Sequence, residues 1–247
     1  MSYRELIYKG FAGKFLEGGT SSAFVYYGTI VAVIAACVII PYLLGCINFS
    51  IVISKKKYHQ DIRSFGSGNA GATNMQRTYG TGAAALTFLG DFAKAAVSVI
   101  FGICLFGGIG GYLAALFCMI GHAFPCFYGF KGGKGVAVSA GAILFLDWRI
   151  FLILFPCFVA IVALTKYISL GSVTCMFLFP LLDSRMVTGR MPAPVVLIAM
   201  LMAALVIYLH RGNIKRIYSG TESKISFSKK KNKPADGDDG DPADAEK

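Results

Sequence analysis

Long stretches without any charged side chain alternate with short polar segments along this chain. Asp, Glu, Lys and Arg are absent from residues 18–54, 95–130 and 191–210. A helix needs about 20 apolar residues to cross the hydrocarbon core of a bilayer. The pattern therefore predicts an all-α integral membrane protein with about seven transmembrane helices. We place these helices at about 24–53, 81–107, 109–124, 135–147, 150–165, 167–182 and 192–210.

The composition agrees with a membrane protein and argues against metal-binding or disulfide-bonded cysteines. The chain is 55% hydrophobic and 15% charged, whereas a soluble domain is roughly 25% charged. Charged residues interrupt the first 17 positions, so we do not expect a cleaved signal peptide there. The seven cysteines include no Cys-x-x-Cys pair, and six of them lie in apolar runs. They are therefore expected to be buried thiols rather than metal ligands or disulfides.

Lys and Arg are distributed unevenly between the two predicted sides of the membrane. Segments 54–80 and 122–134, Lys166 and the C-terminal region carry 17 of them, and the opposite segments carry 6. Because cytoplasmic loops are enriched in Lys and Arg, we expect the N-terminus outside and the C-terminus in the cytoplasm. The predicted organisation is an extracytoplasmic extension (1–23), a membrane domain (24–226) and a basic, then acidic, disordered cytoplasmic tail (227–247). The polar loops then share the cytoplasmic face, where they can form one active site.

The first polar segment, residues 66–77, reads GSGNAGATNMQR and is rich in hydrogen-bond donors. Its glycines leave backbone N–H groups open to close approach, and Arg77 adds a planar cation with five donors. Such a set suits a phosphate at a membrane surface; the alternative is a polar turn between two spans. The candidate ligands in this segment are Ser67, Gly68, Asn69, Gly71, Thr73, Asn74 and Arg77.

The second polar segment follows His122 and reads GFKGGKG over residues 129–135. It does not match a P-loop, which has Ser or Thr after the Gly-Lys pair, so we do not expect nucleotide hydrolysis. Lysines and glycines at the start of the fourth predicted helix still favour an anion. The alternative, anchoring by inside-positive charge, would require only the lysines. The candidate ligands here are His122, Lys131, Gly132, Gly133 and Lys134.

The third polar segment begins at His210, where the last predicted span ends. His210 and Asn213 could reach a ligand at the level of the lipid headgroups. Lys215 and Arg216 fit a stop-transfer charge run equally well. Glu222 either braces the cationic residues through a salt bridge or is an ordinary solvated residue.

A few polar residues lie inside or beside the predicted spans. Asp91 and Lys94 stand three positions apart, and we expect them to pair with each other in a structural role beside the site. Ser172 by itself would be a packing serine. Carboxylates are scarce on the inner side and no His is followed by Asp five positions later. A site that binds phosphate and stabilises developing negative charge is therefore favoured over one that uses paired carboxylates or a metal.

Taken in order and spacing, the three segments resemble the PlsY family of bacterial glycerol-3-phosphate acyltransferases. The first family motif is matched by residues 66–77, the second by 121–137 and the third by 210–222, and the resemblance covers about residues 28–226. Ala70 stands where the family usually has Pro, and Ala95 stands where Gly is usual. Neither difference removes a hydrogen-bond donor.

The resemblance implies an enzyme of the bacterial plasma membrane that moves a fatty acyl group from acyl phosphate to the 1-hydroxyl of sn-glycerol 3-phosphate. The products would be lysophosphatidic acid and inorganic phosphate, in the first committed step of phospholipid synthesis. Acyl phosphate, glycerol 3-phosphate and membrane lipid are the implied partners of a monomer, with no cofactor, metal or nucleic acid. The implied catalytic residues are Ser67, Arg77, Lys134, His210 and Asn213. The implied substrate-binding residues are Gly68, Asn69, Gly71, Thr73, Asn74, His122, Lys131, Gly132, Gly133, Ser172 and Glu222.

The resemblance also suggests a role for each group as a hypothesis. The phosphate of glycerol 3-phosphate would be held by Arg77, Lys134, His210 and Asn213. The acyl-phosphate head would be held by Ser67, Thr73, Ser172 and the backbone of Gly68, Gly71, Gly132 and Gly133. Glu222 would order the third segment. The hydroxyl proton would pass to the acyl phosphate's own oxygens or, alternatively, to His210.

Two other classes of function fit parts of the sequence. A transporter for an organic phosphate would use the glycine- and lysine-containing loops as gates. A scaffold for other lipid enzymes would tolerate the loss of Arg77.

Overall fold

In this computed structural model, residues 3–19, 22–187 and 193–225 are described, and over them the chain is helical without β-strands. This confirms the predicted all-α class. The helices of the described residues are α1 (Tyr3–Glu17), α2 (Ala23–Cys46), α3 (Phe49–Tyr58), α4 (Ala72–Tyr79), α5 (Thr81–Ala123), α6 (Val136–Leu146), α7 (Trp148–Thr165), α8 (Ile168–Val187), α9 (Ala193–Leu209) and α10 (Arg211–Tyr218), with 3₁₀ turns at Ile62–Ser64 and Cys126–Tyr128. The predicted tail over 227–247 lies outside the described residues.

Several helices have the length and apolar character of membrane spans. Three stretches qualify among the described residues, Ala23–Tyr58, Thr81–Tyr128 and Trp148–Thr165, and the bent pair α9–α10 is a fourth if counted as one span. Helix α6 has 11 residues, which rise about 16 Å at 1.5 Å per residue. That is about half of the ~30 Å hydrocarbon core. The chain is thus a multi-pass membrane protein, and the exact number of seven spans stays a prediction.

Helix α5 reverses direction at its midpoint. Phe106 and Gly107 leave helical geometry, and Gly107 has a φ of 60°. A Cβ built on Gly102 would lie 2.2 Å from the carbonyl oxygen of Gly110, although a straight helix would place these residues about 12 Å apart. Thr81–Ala123 is therefore a helical hairpin, and its turn lies at the predicted break between 81–107 and 109–124.

The predicted first helix, at about 24–53, is interrupted, because the chain breaks between α2 and α3. The Oδ1 atom of Asn48 accepts hydrogen bonds from the amides of Ser50 at 3.1 Å and Ile51 at 3.3 Å. Asn48 is fully buried. Its side chain satisfies the first amides of a new helix, which is the usual role of an N-cap residue, and so a second helix starts within the apolar run.

Small residues allow the helices around α5 to approach closely. A Cβ on Gly45 of α2 would lie 2.2 Å from the carbonyl oxygen of Cys118, and one on Gly121 would lie 2.1 Å from that of Tyr42. On the other side, a Cβ on Gly141 of α6 would lie 2.5 Å from the carbonyl oxygen of Phe92. Close backbone contact at small residues is how helices pack where lipid replaces water. Both halves of α5 are thereby held between α2 and α6.

Polar side chains also join helices away from the cytoplasmic loops. The Tyr112 hydroxyl, near the α5 reversal, donates a hydrogen bond to the fully buried carboxylate of Asp183 in α8. Asp147 caps α7 by accepting from the Arg149 amide at 2.9 Å. The predicted break between the fourth and fifth helices at Asp147–Arg149 is confirmed by this cap.

Candidate active site

A cavity opens where four helices begin. The first turns of α4, α6, α8 and α10 each contribute a residue to its wall, namely Ala72, Val136, Ile168 and Asn213. The cavity is lined by Ser67, Asn69, Gly71, Ala72, Thr73, Asn74, Arg77, Phe88, Asp91, His122, Lys134, Gly135, Val136, Ala137, Ile168, Ser169, His210, Asn213, Arg216, Glu222, Ser223 and Ile225. The three polar segments of the sequence therefore meet around one space.

The four helix starts make the cavity attractive to anions. The first N–H groups of a helix have no intrahelical partner, and the aligned peptide dipoles place partial positive charge at that end. The four first turns that reach this cavity begin at Ala72, Val136, Ile168 and Arg211. Backbone and cationic side chains thus act together, as at other phosphate-binding helix ends.

The first segment is folded around Asn74. The buried Asn74 side chain donates hydrogen bonds to the carbonyl oxygens of Ile62 at 3.2 Å and Phe65 at 2.9 Å, and it accepts from the Ser67 amide at 3.0 Å. Gly66 has a φ of 57°, and a Cβ there would lie 2.2 Å from Asn74 Oδ1. Although Asn74 lines the cavity as a predicted ligand, its amide is engaged in holding the loop.

Three polar side chains of this segment remain available to a ligand. The side chains of Ser67, Asn69 and Thr73 line the cavity, and none has a hydrogen-bond partner elsewhere in the described part of the chain. Arg77 also lines the cavity, and its Nη2 atom lies 3.4 Å from the Ser223 carbonyl oxygen, to which it donates. These residues can therefore supply hydroxyl, amide and guanidinium donors.

The expected glycine amides do not point to a ligand. The amides of Gly68, Gly71, Gly132 and Gly133 donate to carbonyl oxygens of the protein at 3.0 to 3.1 Å. Gly68, Lys131, Gly132 and Gly133 also lie outside the cavity lining. The glycines allow close approach instead: a Cβ on Gly132 would lie 2.0 Å from the His122 carbonyl oxygen. The backbone donors next to the cavity come from the first turns of the helices.

Lys134 is the central cation of the second segment. Its ammonium donates a hydrogen bond to Asn213 Oδ1, which joins the second segment to the third. Burial lowers the pKa of Lys134 to about 8, with a further contribution from the nearby guanidinium of Arg216. Glu222 opposes this shift. The ammonium is therefore poorly solvated and lies close to other cations, a setting that favours an anionic ligand.

The third segment is organised by Glu222. Its Oε1 atom accepts from Asn213 Nδ2 and from Ser169 Oγ, each at 2.6 Å, and its Oε2 accepts from Arg216 Nε at 2.7 Å. Burial would raise the pKa of Glu222, but hydrogen bonds from Ser169, Asn213 and Arg216 outweigh it and keep the pKa below its usual range. The predicted salt bridge with the cationic residues is present.

The sequence led us to Ser172 of α8, but Ser169 lies at the site. The Ser172 hydroxyl donates to the Ile168 carbonyl oxygen of its own helix at 2.9 Å, and Ser172 is absent from the cavity lining. Its proposed contact with acyl phosphate is therefore not supported, and the packing interpretation fits. Ser169, one turn earlier, lines the cavity and holds Glu222.

A set of Arg63 hydrogen bonds that sequence reasoning missed joins the 3₁₀ turn before the first segment to the second segment. Arg63 donates to Asp61 Oδ2 at 2.8 Å and to the carbonyl oxygens of Tyr128 at 2.7 Å and Lys131 at 3.1 Å. Hydrogen bonding from Arg63 lowers the pKa of Asp61 to about 2, against a smaller opposing contribution from burial. The only sequence signal was an acidic and a basic residue two positions apart.

Asp91 and Lys94 pair as predicted, with the ammonium 2.8 Å from Asp91 Oδ1. His122 joins this pair, because its Nδ1 lies 3.0 Å from the same ammonium. Asp91 and His122 line the cavity.

His210, also on the cavity wall, has its Nδ1 atom 2.8 Å from the Val206 carbonyl oxygen. Within the described residues, no group of three or more His, Cys, Asp or Glu side chains is arranged to hold a metal ion.

Comparison with known proteins identifies the family. The model of the glycerol-3-phosphate acyltransferase family matches residues 35–220. The glycerol-3-phosphate acyltransferase of Syntrophomonas wolfei subsp. wolfei is 47% identical over 192 residues, covering 78% of this chain and 97% of the relative. That of Clostridioides difficile (strain 630) is 43% identical over 197 residues, covering 77% and 95%.

Solved structures agree with these relatives. The crystal structure of PlsY (YgiH), an integral membrane glycerol 3-phosphate acyltransferase, in its glycerol 3-phosphate form superposes with a TM-score of 0.73 at 36% identity, covering 78% of this chain and 96% of that one. Its lysophosphatidic acid form gives 0.70 at 35% identity, covering 78% and 95%. The shared motifs, the fold and these similarities show that the chain belongs to the PlsY family of membrane glycerol-3-phosphate acyltransferases.

Proposed function

We propose that this chain transfers a fatty acyl group from acyl phosphate to the 1-hydroxyl of sn-glycerol 3-phosphate, releasing lysophosphatidic acid and inorganic phosphate. The observation that carries the proposal is the cavity with four helix starts, Arg77 and Lys134 on its wall. Both substrates bear a phosphate, which such a cavity suits. The structures of a relative in glycerol 3-phosphate and lysophosphatidic acid forms support the acceptor and the product.

The glycerol 3-phosphate subsite is assigned to the cationic side of the cavity. Arg77 and Lys134 bind the phosphate, and His210 lies beside them on the wall. Asn213 donates to Glu222 and Ser169 and accepts from Lys134. With its amide so engaged, Asn213 acts by holding the Lys134 ammonium in place rather than by contacting the phosphate itself.

The acyl-phosphate subsite is assigned to the side formed by α4 and α6. Ser67, Asn69 and Thr73 supply side-chain donors, and the first turns beginning at Ala72 and Val136 supply backbone donors. These backbone donors take the role that the sequence had suggested for the glycine amides. The acyl chain remains in the bilayer, since the cavity lies among membrane-spanning helices.

The chemistry needs a hydroxyl nucleophile and a phosphate leaving group. The 1-hydroxyl oxygen forms a bond to the acyl carbonyl carbon, and the bond between that carbon and the phosphate oxygen breaks. The proton passes to an oxygen of the departing phosphate, so atoms and charge balance without a co-reactant. Catalysis then consists of positioning and of stabilising the negative charge that grows on the carbonyl and phosphate oxygens.

His210 is the alternative proton acceptor. Its Nδ1 faces a backbone carbonyl, which can only accept, so the proton lies on Nδ1 and the lone pair lies on Nε2 in the neutral ring. If His210 is the base, His210→Gln will lose most of its turnover. Near-full turnover in this variant would leave the acyl phosphate as the acceptor.

We further propose seven spans with the site at the cytoplasmic face. Counting the two halves of α5 separately, seven helical segments run along the bundle: α2, both halves of α5, α6, α7, α8 and α9. The excess of Lys and Arg in the loops around the cavity supports its cytoplasmic position and a cytoplasmic C-terminus. Labelling of single cysteines placed at Gly19 and at Lys224 with a membrane-impermeant reagent in intact cells tests this, since only the first should react.

A direct assay tests the activity. Purified protein is mixed with palmitoyl phosphate and glycerol 3-phosphate without coenzyme A, and released phosphate and lysophosphatidic acid are both measured. We expect equal amounts of both from the natural chain, at least a hundredfold less from Arg77→Ala and Lys134→Ala, and no change for Lys56→Ala, which removes an exposed lysine outside the cavity. Absence of product from folded protein in both detergent and lipid would overturn the proposal in favour of a transporter.

A further inference from the structure

Lys94 stands at the centre of a buried cluster directly behind the cavity wall. Its ammonium lies 2.8 Å from Asp91 Oδ1 and 3.0 Å from His122 Nδ1, and it donates to the carbonyl oxygens of Gly45 at 2.9 Å and Ile47 at 2.7 Å. Asp91, Lys94 and His122 are each at most 6% exposed. One cation therefore connects the end of α2 to both halves of α5.

The contact with Lys94 determines where His122 carries its proton. An ammonium group has three N–H donors and no acceptor, and that of Lys94 shares them among two carbonyl oxygens, Asp91 Oδ1 and His122 Nδ1. His122 Nδ1 therefore faces the ammonium with a lone pair. Asp91 Oδ1 is more distant from this nitrogen, at 3.5 Å, and is itself engaged by the ammonium at 2.8 Å. In the neutral ring the proton then lies on Nε2. Lys94 thus makes His122 a hydrogen-bond donor on its opposite side.

The Nε2 side of His122 faces the junction of the first two polar segments. A Cβ built on Gly133 would lie 2.2 Å from His122 Nε2 and 2.4 Å from the Ala70 carbonyl oxygen. His122 lines the cavity, and across residues 3–19, 22–187 and 193–225 its Nε2 has no hydrogen-bond partner. A side chain at position 133 would block this nitrogen, so glycine keeps it accessible.

The two histidines of the cavity consequently have opposite proton arrangements. His210 holds its proton on Nδ1 against the Val206 carbonyl oxygen, and its Nε2 is an acceptor. His122 accepts at Nδ1 and donates at Nε2. The site therefore contains one neutral ring that can receive a proton and another that can stabilise negative charge.

We propose that Lys94 is a positioning residue that holds His122 as an Nε2–H donor. His122 donates this hydrogen bond to an oxygen of the acyl phosphate. Negative charge grows on that oxygen as the bond between the acyl carbon and the phosphate oxygen breaks. The inference rests on the proposed function for the identity of that ligand. The assigned tautomer and its dependence on Lys94 do not require any substrate. The two parts can therefore be tested separately.

Two replacements of His122 separate its two nitrogens. Asparagine can place a polar atom near the position of Nδ1 and so retain the contact with Lys94, but it loses the donor at Nε2. Glutamine can place its amide nitrogen near Nε2 and retain the donor. Removing one preorganised donor to a developing oxyanion lowers kcat by about 100-fold or more. We expect that loss in His122→Asn, with the KM for glycerol 3-phosphate within twofold, and at least a tenth of the natural kcat in His122→Gln. The proposal is overturned if His122→Asn keeps its kcat within threefold, or if both variants fall equally.

Ring ¹⁵N spectra of the histidines test the part played by Lys94. The chain has three histidines, and His59→Gln and His210→Gln allow the His122 signals to be assigned. We expect an Nε2–H tautomer for His122 in the natural chain. An Nδ1–H tautomer or a fully protonated ring would overturn the proposal whatever the activity.

A charge-neutral double variant provides the second comparison. Asp91→Asn combined with Lys94→Met removes both charges of the pair, so no buried ion is left without its partner. We expect a folded protein in which His122 loses its single tautomer and kcat falls at least tenfold. Natural kcat in the folded variant would show that the cluster only stabilises the fold. If the natural chain itself fails to turn over palmitoyl phosphate, the proposed function fails while the tautomer measurement still decides the role of Lys94.

Discussion

Glu222 accepts a hydrogen bond from Asn213 at 2.6 Å, and the same Asn213 side chain accepts one from the ammonium of Lys134. A carboxylate in the third polar segment thereby controls the position of a cation in the second. Because α10 contains Asn213 while Lys134 lies just before α6, this relay also fixes two helix starts relative to each other.

Removing the Glu222 carboxylate should therefore displace Lys134 and lower activity, even though the proposed role of Glu222 requires no contact with the substrate. Glu222→Ala leaves the Asn213 and Ser169 donors without their acceptor, and an unpaired buried polar group costs about 1–3 kcal/mol. We expect kcat/KM to fall about 10- to 100-fold in the assay for released phosphate. Glu222→Gln, which keeps an acceptor oxygen, should lose less.

A matched control for this change is Glu17→Ala in α1. Glu17 pairs with Lys9 at an exposed position and is absent from the cavity lining. Its replacement should leave kcat/KM unchanged. Equal losses in the two alanine variants, or no loss in Glu222→Ala, would contradict the relay.

The pH dependence of glycerol 3-phosphate use should report Lys134. Its pKa of about 8 means that the ammonium is charged below that pH and loses its charge as the pH rises through 8. Binding of a phosphate requires the charge, so we expect log(kcat/KM) to decline above about pH 8, since kcat/KM follows ionisations of the free enzyme.

Lys134→Arg provides the test of this assignment. A guanidinium stays charged throughout the range in which enzymes are assayed, so the alkaline decline should disappear or move upward even if the variant is slower. Lys56→Arg, at an exposed position outside the cavity, should keep the natural profile. An alkaline decline that persists unchanged in Lys134→Arg would assign it to another group.

The Tyr112–Asp183 contact should contribute to stability rather than to turnover. Asp183 is fully buried, and its Oδ2 atom has no partner among the residues that the structure describes. Tyr112→Phe would remove the donor to Oδ1 and lower the free energy of unfolding by about 1–3 kcal/mol. Thermal unfolding in detergent measures this, with the exposed Tyr208→Phe as a comparison that should not change. A natural unfolding temperature in Tyr112→Phe would show that the contact is not formed.

Two thiols next to the site should cross-link on oxidation. The Sγ atoms of Cys46 and Cys126 lie 3.7 Å apart, where the end of α2 meets the 3₁₀ turn of the second segment. Oxidation by copper phenanthroline should remove two protons and two electrons from the thiols and join these two cysteines, as detected by mass spectrometry of peptides. Cys46→Ser should abolish the product. Failure of the folded natural chain to form this link would place the turn farther from α2.

The sequence predicted the fold class and the meeting of three polar segments because both depend on local patterns. Charge-free runs identify membrane helices, and donors clustered around glycine identify loops that can approach an anion. The break at Asn48 was missed because an asparagine within an apolar run gives no sign of whether its side chain caps a new helix. Its partners are decided by the packing around it.

Contacts between distant segments account for the other differences. Ser169 and Ser172 lie one helical turn apart, and only the position of Glu222 decides which of them faces the site. The amides of Gly132 and Gly133 were expected to be free, but the close approach of the Ala123 and His122 carbonyl oxygens engages them. Lys94 was correctly paired with Asp91, yet its contact with His122 spans 28 positions and has no local signature.

The four helix starts around the cavity are widely separated along the chain, at Ala72, Val136, Ile168 and Arg211. A ribosome must therefore release almost the entire membrane domain before the last of them can take its place. A partly synthesised chain could enter the bilayer and pair its first helices, but it would lack the wall formed by α10. Acylation of glycerol 3-phosphate can thus begin only when biosynthesis of this domain is essentially complete, so an unfinished chain cannot consume activated fatty acid.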